Sequence, residues 1–160
     1  MKFKNSLILV SSIIVFFLIG LFYDMQYRIL TRTIVYKLSN YNLDYYGGKE
    51  FRFFVPDLGF ILTLVPLGLF FTIKHLKSKK TGFISVLAFI VFLLLFYLIF
   101  CFLESQIIKY TTVIDSKGIY HYHYSNLNYR LIAFFSIVFS LSTNFLIFKI
   151  LKKQGNSISE

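Results

Sequence analysis

Two histidines, His121 and His123, alternate with Tyr120, Tyr122 and Tyr124 in the segment KGIYHYHYSN, residues 117–126. Imidazole nitrogens ligate metals and titrate near neutral pH, and alternate residues of an extended strand share a face. The pair is therefore half of a candidate zinc or copper site, which needs three or four ligands. The outer loops offer no cysteine and no third histidine, since Cys101 and His75 fall elsewhere. Completion needs carboxylates such as Asp44, Glu50 or Asp115, or a second subunit. Two histidines alone are a weak motif. The expectation is no metal and no cofactor, with the tyrosines and histidines acting as a recognition surface.

Other chemistry lacks a constellation. The chain has no Gly-rich phosphate loop, no Gly-x-Ser-x-Gly and no His-Glu-x-x-His, the spacings that cradle phosphate, expose a nucleophile or bind zinc on a helix. Gly47 and Gly48 read as a turn. No catalytic residues are assigned, and the chain is expected not to be an enzyme.

The elements that carry these residues are set by a membrane. Hydrophobic residues make up 57% of the 160, charged residues 15%, and the mean hydropathy is +0.69; soluble domains carry about 25% charged residues. Four apolar runs, 7–23, 58–73, 83–103 and 131–148, are read as membrane-spanning helices of a single domain. At 1.5 Å per residue the third run is about 30 Å long, the thickness of the hydrocarbon core. The second is shorter, and relies on Phe53, Phe54 and Val55 dipping into the interface or on local bilayer thinning. The first is too long for a signal-peptide core and lacks a cleavage site, so it reads as a retained anchor.

Lysines set the orientation. Lys2 and Lys4 precede the first run, Lys74, Lys77, Lys79 and Lys80 follow the second, and Lys149, Lys152 and Lys153 follow the fourth, accompanied only by Glu160. The connections 24–57 and 104–130 mix their cations with Asp24, Asp44, Glu50, Asp57, Glu104 and Asp115. The positive-inside rule places both termini and residues 74–82 in the cytoplasm and those two loops outside. The net charge of +10 is explained by topology and anionic lipid, without nucleic acid as a partner. The missing Asn-x-Ser/Thr sequon favours a bacterial cytoplasmic membrane. A lone Cys101 permits no intrachain disulfide.

Within the spans, Pro66 removes one backbone hydrogen bond and should kink the second. In the fourth, Ser136, Ser140, Thr143 and Asn144 fall on one helical face, with Ser11 and Ser12 of the first span as small polar partners. That face is read as helix packing rather than as a polar pathway, because the span interiors carry no ionisable group. Asp57 and Glu104 are placed at the outer ends, in reach of water.

Loop one opens with Tyr27, Leu30, Ile34 and Leu38 on one helical face, an amphipathic continuation of the first span along the membrane surface; a strand over 32–38 is the alternative, from Thr33, Ile34 and Val35. Tyr41, Tyr45 and Tyr46 with Phe51, Phe53 and Phe54 form either an interfacial aromatic belt or a binding surface. In loop two, KYTTVI and IYHYHY flank DSKG, a β-hairpin pattern with Gly118 in the left-handed turn position.

The resulting fold class is an all-α membrane protein with four transmembrane helices, both termini cytoplasmic and two extracytoplasmic loops. With FTIKHLKSKK after the second span, IFCF in the third and FKILKK after the fourth, this layout resembles that of the colicin A-type immunity proteins. The resemblance is one of topology over most of the chain, and implies protection against a membrane-active toxin. The residues themselves point to a lipid-embedded protein that binds a membrane or extracytoplasmic protein through Tyr45, Tyr46, Tyr120, His121, Tyr122, His123 and Tyr124. A small transporter or channel subunit is the remaining alternative, disfavoured by the uncharged spans.

Overall fold

The computed structural model of the chain describes residues 2–39, 43–46, 57–75, 79–111, 113–114, 120–123 and 127–157, with side chains at 6–39, 57–74, 81–110 and 127–151. In chain order these form α1 (Lys2–Ser39), β1 (Leu43–Tyr46), α2 (Asp57–Leu62), α3 (Leu64–His75), α4 (Lys79–Thr111), β2 (Val113–Ile114), β3 (Tyr120–His123) and α5 (Tyr129–Ser157). Four stretches are long and apolar enough to cross a membrane: Ser6–Ser39, Asp57–Lys74, Thr81–Tyr110 and Tyr129–Leu151. This is the architecture of a multi-pass membrane protein.

The second span is broken, as its proline requires. Pro66 has no N–H to offer the carbonyl of Leu62, and its ring crowds that carbonyl. The ladder fails one turn earlier, at Thr63, whose N–H and hydroxyl both donate to the Phe60 carbonyl, at 3.3 and 2.6 Å. The short α2 that results lies against α1 at a glycine contact. A Cβ on Gly20 would stand 2.5 Å from the Gly59 Cα and 2.7 Å from the Leu58 carbonyl oxygen, so two backbones meet there with no side chain between them.

The interior of the bundle mixes small polar side chains with apolar ones. The largest fully buried side chains are Val35, Asn144, Thr31, Cys101, Ser85, Ser105, Ser136 and Ser140, while Leu, Ile and Phe cover the outside of every span. Lipid is as apolar as leucine, so burying leucine gains little. Small residues allow close packing, and polar ones find partners that hydrocarbon lacks. One apolar cluster gathers Val35, Cys101, Ile108, Leu127, Tyr129 and Ile132, and another Val65, Phe89 and Ile137.

α1 and α4 are longer than their apolar runs. α1 continues unbroken through 24–39, so the alternative strand over 32–38 is not formed. The continuation buries Asp24, Thr31, Val35 and Ser39, a stripe at helical spacing. The expected apolar face is only partly inward: Tyr27 and Ile34 pack on the core, but Leu30 is 54% and Leu38 37% exposed. Polar partners on neighbouring helices outweigh the apolar pattern in setting the rotation of α1. α4 likewise absorbs Lys109–Thr111 from the expected strand KYTTVI, leaving Val113 and Ile114 as β2.

The strands form one sheet of order β1-β3-β2. β2 and β3 pair antiparallel, with Val113 opposite His121 and Ile114 opposite Tyr120. β1 pairs with β3 in parallel, setting Leu43, Asp44, Tyr45 and Tyr46 beside Tyr120, His121, Tyr122 and His123. The two connections on this side of the bundle therefore meet. The DSKG turn, Gly47, Gly48, Tyr124 and the aromatic residues of 51–54 lie outside the described residues.

Candidate functional site

Where α2 and α5 begin, a belt of polar contacts ties all four spans together. The first amides of a helix have no partner within it and favour a carboxylate. α1 supplies one: Asp24 Oδ1 accepts the Leu58 N–H of α2 at 3.2 Å. α4 supplies another: Glu104 Oε1 accepts the Asn128 N–H, one residue before α5, at 3.1 Å. Asp57 stands in the first turn of α2 itself. Each acid is thus matched to a helix start, two of them from a neighbouring helix.

Two arginines bridge the acids. Arg28 Nε donates to Asp24 Oδ2 at 2.6 Å, across one turn of α1, and its Nη2 donates to Asp57 Oδ2 at 3.2 Å. Arg130, in the first turn of α5, donates its Nε to the same Asp57 oxygen at 2.5 Å. The Arg28 guanidinium also lies over the Tyr129 ring, 5.5 Å from its centroid, within cation–π range. Tyr27 donates its hydroxyl to the Tyr129 carbonyl at 2.9 Å, and the hydroxyls of Thr31 and Tyr97 share a hydrogen bond at 2.8 Å. The cavity among Asp24, Tyr27, Arg28, Asp57, Tyr129 and Arg130 is about 10 Å³, room for about one water. The belt is a clamp for helix ends; its acids face amides or cations, and it has no space for a substrate.

Asp24 and Glu104 are buried and Asp57 is half-buried; the expectation that both Asp57 and Glu104 are in reach of water is thereby corrected for Glu104. One signal of this lay in the sequence: Asp24 and Arg28 have the four-residue spacing of a helical ion pair, which extends the helix past the apolar run. The partners Asp57, Arg130 and Glu104 come from distant segments and have no local signature.

Deeper in the bundle, Ser136, Ser140 and Asn144 are buried and Thr143 is half-buried. Ser136 and Ser140 donate to the carbonyls one turn back, of Ile132 and Ser136, so their hydroxyls are satisfied inside α5. Asn144 reaches across, its Nδ2 donating to Ser85 Oγ of α4 at 2.9 Å. Its Oδ1 is the buried side-chain polar atom left without a hydrogen-bond partner among the described residues. Ser11 and Ser12, expected to face α5, donate instead to Leu7 and Ile8 in their own helix.

Tyr45, Tyr46, Tyr120, His121, Tyr122 and His123 come together through the backbone pairing of β1 with β3, in which Asp44 is the neighbour of His121. Among the described residues no three His, Cys, Asp or Glu side chains gather as a metal site. Compared with protein-family models, curated proteins and solved structures, the chain has no match.

Proposed function

We propose that this chain is a non-enzymatic integral membrane protein that binds a protein partner through the tyrosine- and histidine-rich segments on one side of its bundle. The observation that supports this most is the parallel pairing of β1 with β3. Tyr45 and Tyr46 from one connection and Tyr120, His121, Tyr122 and His123 from the other then belong to one sheet, alternating between its two faces, and not to two separate loops. Tyrosine supplies large contact area with few rotatable bonds, and aromatic residues are enriched where proteins bind. The polar belt beneath would hold the sheet in a fixed relation to the spans. With nine lysines at the opposite end, the positive-inside rule sets the sheet outside and the termini inside, in a bacterial cytoplasmic membrane.

A photo-crosslinking residue in place of Tyr45 or Tyr122, expressed in cells, tests this. One discrete protein adduct, absent when the probe replaces lipid-facing Phe22, is expected. Adducts with lipid alone at all three positions would end the proposal.

The four-span layout with paired outer loops also favours a narrower reading, an immunity protein against a membrane-active toxin. Cells expressing the chain would then survive one such toxin and not others. Loss of protection on substituting Tyr45 and Tyr122 together by Ala, with expression unchanged, would join the two readings. A transporter or channel role is disfavoured because the acids and bases lie beyond the ends of the apolar runs 7–23, 58–73, 83–103 and 131–148, away from any midplane relay.

A further inference from the structure

Arg130 is only partly used by the belt. Its Nε holds Asp57 Oδ2, but that oxygen also serves Arg28, so one carboxylate oxygen is divided between two guanidinium groups. The Arg130 side chain is 65% exposed, and its two terminal nitrogens make no hydrogen bond among the described residues. Both α2 and α5 enter the membrane at this level, since their spans begin at Asp57 and Tyr129. An arginine held by Nε at a membrane boundary presents its remaining N–H groups to the phosphate layer in a planar fork suited to phosphate oxygens.

A ladder of phenyl rings starts one turn below it and crosses the exposed face of α5 towards α4, so that Phe139 lies on the far side of the helix from Arg130. Phe134 lies one helical turn from Arg130, on the same side of α5. Its ring meets Phe135 at 5.5 Å, Phe135 stacks on Phe100 of α4 at 5.8 Å, and Phe139 bridges Phe100 and Phe96 at 5.6 and 5.7 Å. Phe134, Phe135 and Phe139 are all exposed at the bundle surface. We infer that Arg130 and this ladder form a binding site for a single glycerophospholipid, its phosphate on the Arg130 terminal nitrogens and an acyl chain passing Phe134 and crossing the exposed face of α5 obliquely over Phe135 and Phe139. The site is independent of the protein partner proposed above. It would couple the outer leaflet to the Asp57–Arg28–Asp24 chain that caps α2.

Native mass spectrometry of the full-length protein released from micelles tests this. With a diacyl phospholipid added, wild type is expected to keep one lipid through activation that strips the rest, and Arg130→Gln to keep on the order of tenfold less. Arg130→Lys, which preserves the charge, should retain most of it. Diacylglycerol, with the same chains and no phosphate, should not be retained by wild type, a comparison that needs no variant to fold. Equal retention of diacylglycerol and phospholipid, or equal retention by wild type and folded Arg130→Gln, would overturn the site. Displacement of the lipid by millimolar inorganic phosphate would overturn the lipid assignment, because the ladder would then add nothing.

Discussion

Asp24 has two jobs at once, an amide at the start of α2 and the Nε of Arg28. Removing one member of a buried pair leaves the other uncompensated, whereas removing both with apolar replacements costs much less. Asp24→Leu and Arg28→Met are each expected to destabilise the bundle, by about 1–3 kcal/mol, and the double variant by less than the sum. Unfolding by sodium dodecyl sulfate in mixed micelles reads this; strict additivity would show that the two side chains do not act together. The Asn144–Ser85 bond is a different case. Polar bonds between membrane helices average about 0.6 kcal/mol, and Asn144 leaves one of its own polar atoms unmatched. A double-mutant cycle with Asn144→Ala and Ser85→Ala should give a coupling of that order, and several kcal/mol would contradict it.

Helix contacts separate the glycines sharply. At Gly20 an added methyl meets the backbone of α2, which cannot step aside as a side chain would. Gly20→Ala is therefore expected to push α1 and α2 apart and to cost about 1–3 kcal/mol, as at other overpacked sites. At Gly82 the nearest atom to an added Cβ is Ile73 Cγ2 at 3.6 Å, ordinary contact, so Gly82→Ala should be neutral or gain up to about 1 kcal/mol of helix propensity. Thermal unfolding of both variants checks the contrast. The positions of the spans were legible because about 20 apolar residues in a row admit few alternatives. The ends of α1 and α4 were not, because apolar content stops marking a helix where its buried face turns polar, as at Asp24, Thr31 and Ser39 or at Glu104 and Ser105. The broken second span was legible in Pro66, but the glycine contact was not: Gly20 and Gly59 are ordinary residues until the fold brings them together.

For the whole molecule, the distribution of residues is that of a protein dissolved in lipid, with serine, threonine and asparagine buried beside two apolar clusters and many leucine, isoleucine and phenylalanine side chains on the outside. The parallel pairing of β1 with β3 had no sequence signal, since register between distant strands depends on where the helices deliver them. The hairpin pattern was local and therefore visible. The central claim is that the two connections form a single sheet on the outer side of the membrane. Cysteines in place of Tyr45 and Tyr122, neighbours across β1 and β3, in a Cys101→Ser background, test it most directly. Oxidation of intact cells with a membrane-impermeant reagent is predicted to join them within one chain. Failure to form the bond, or its formation only after the membrane is opened, would contradict the claim.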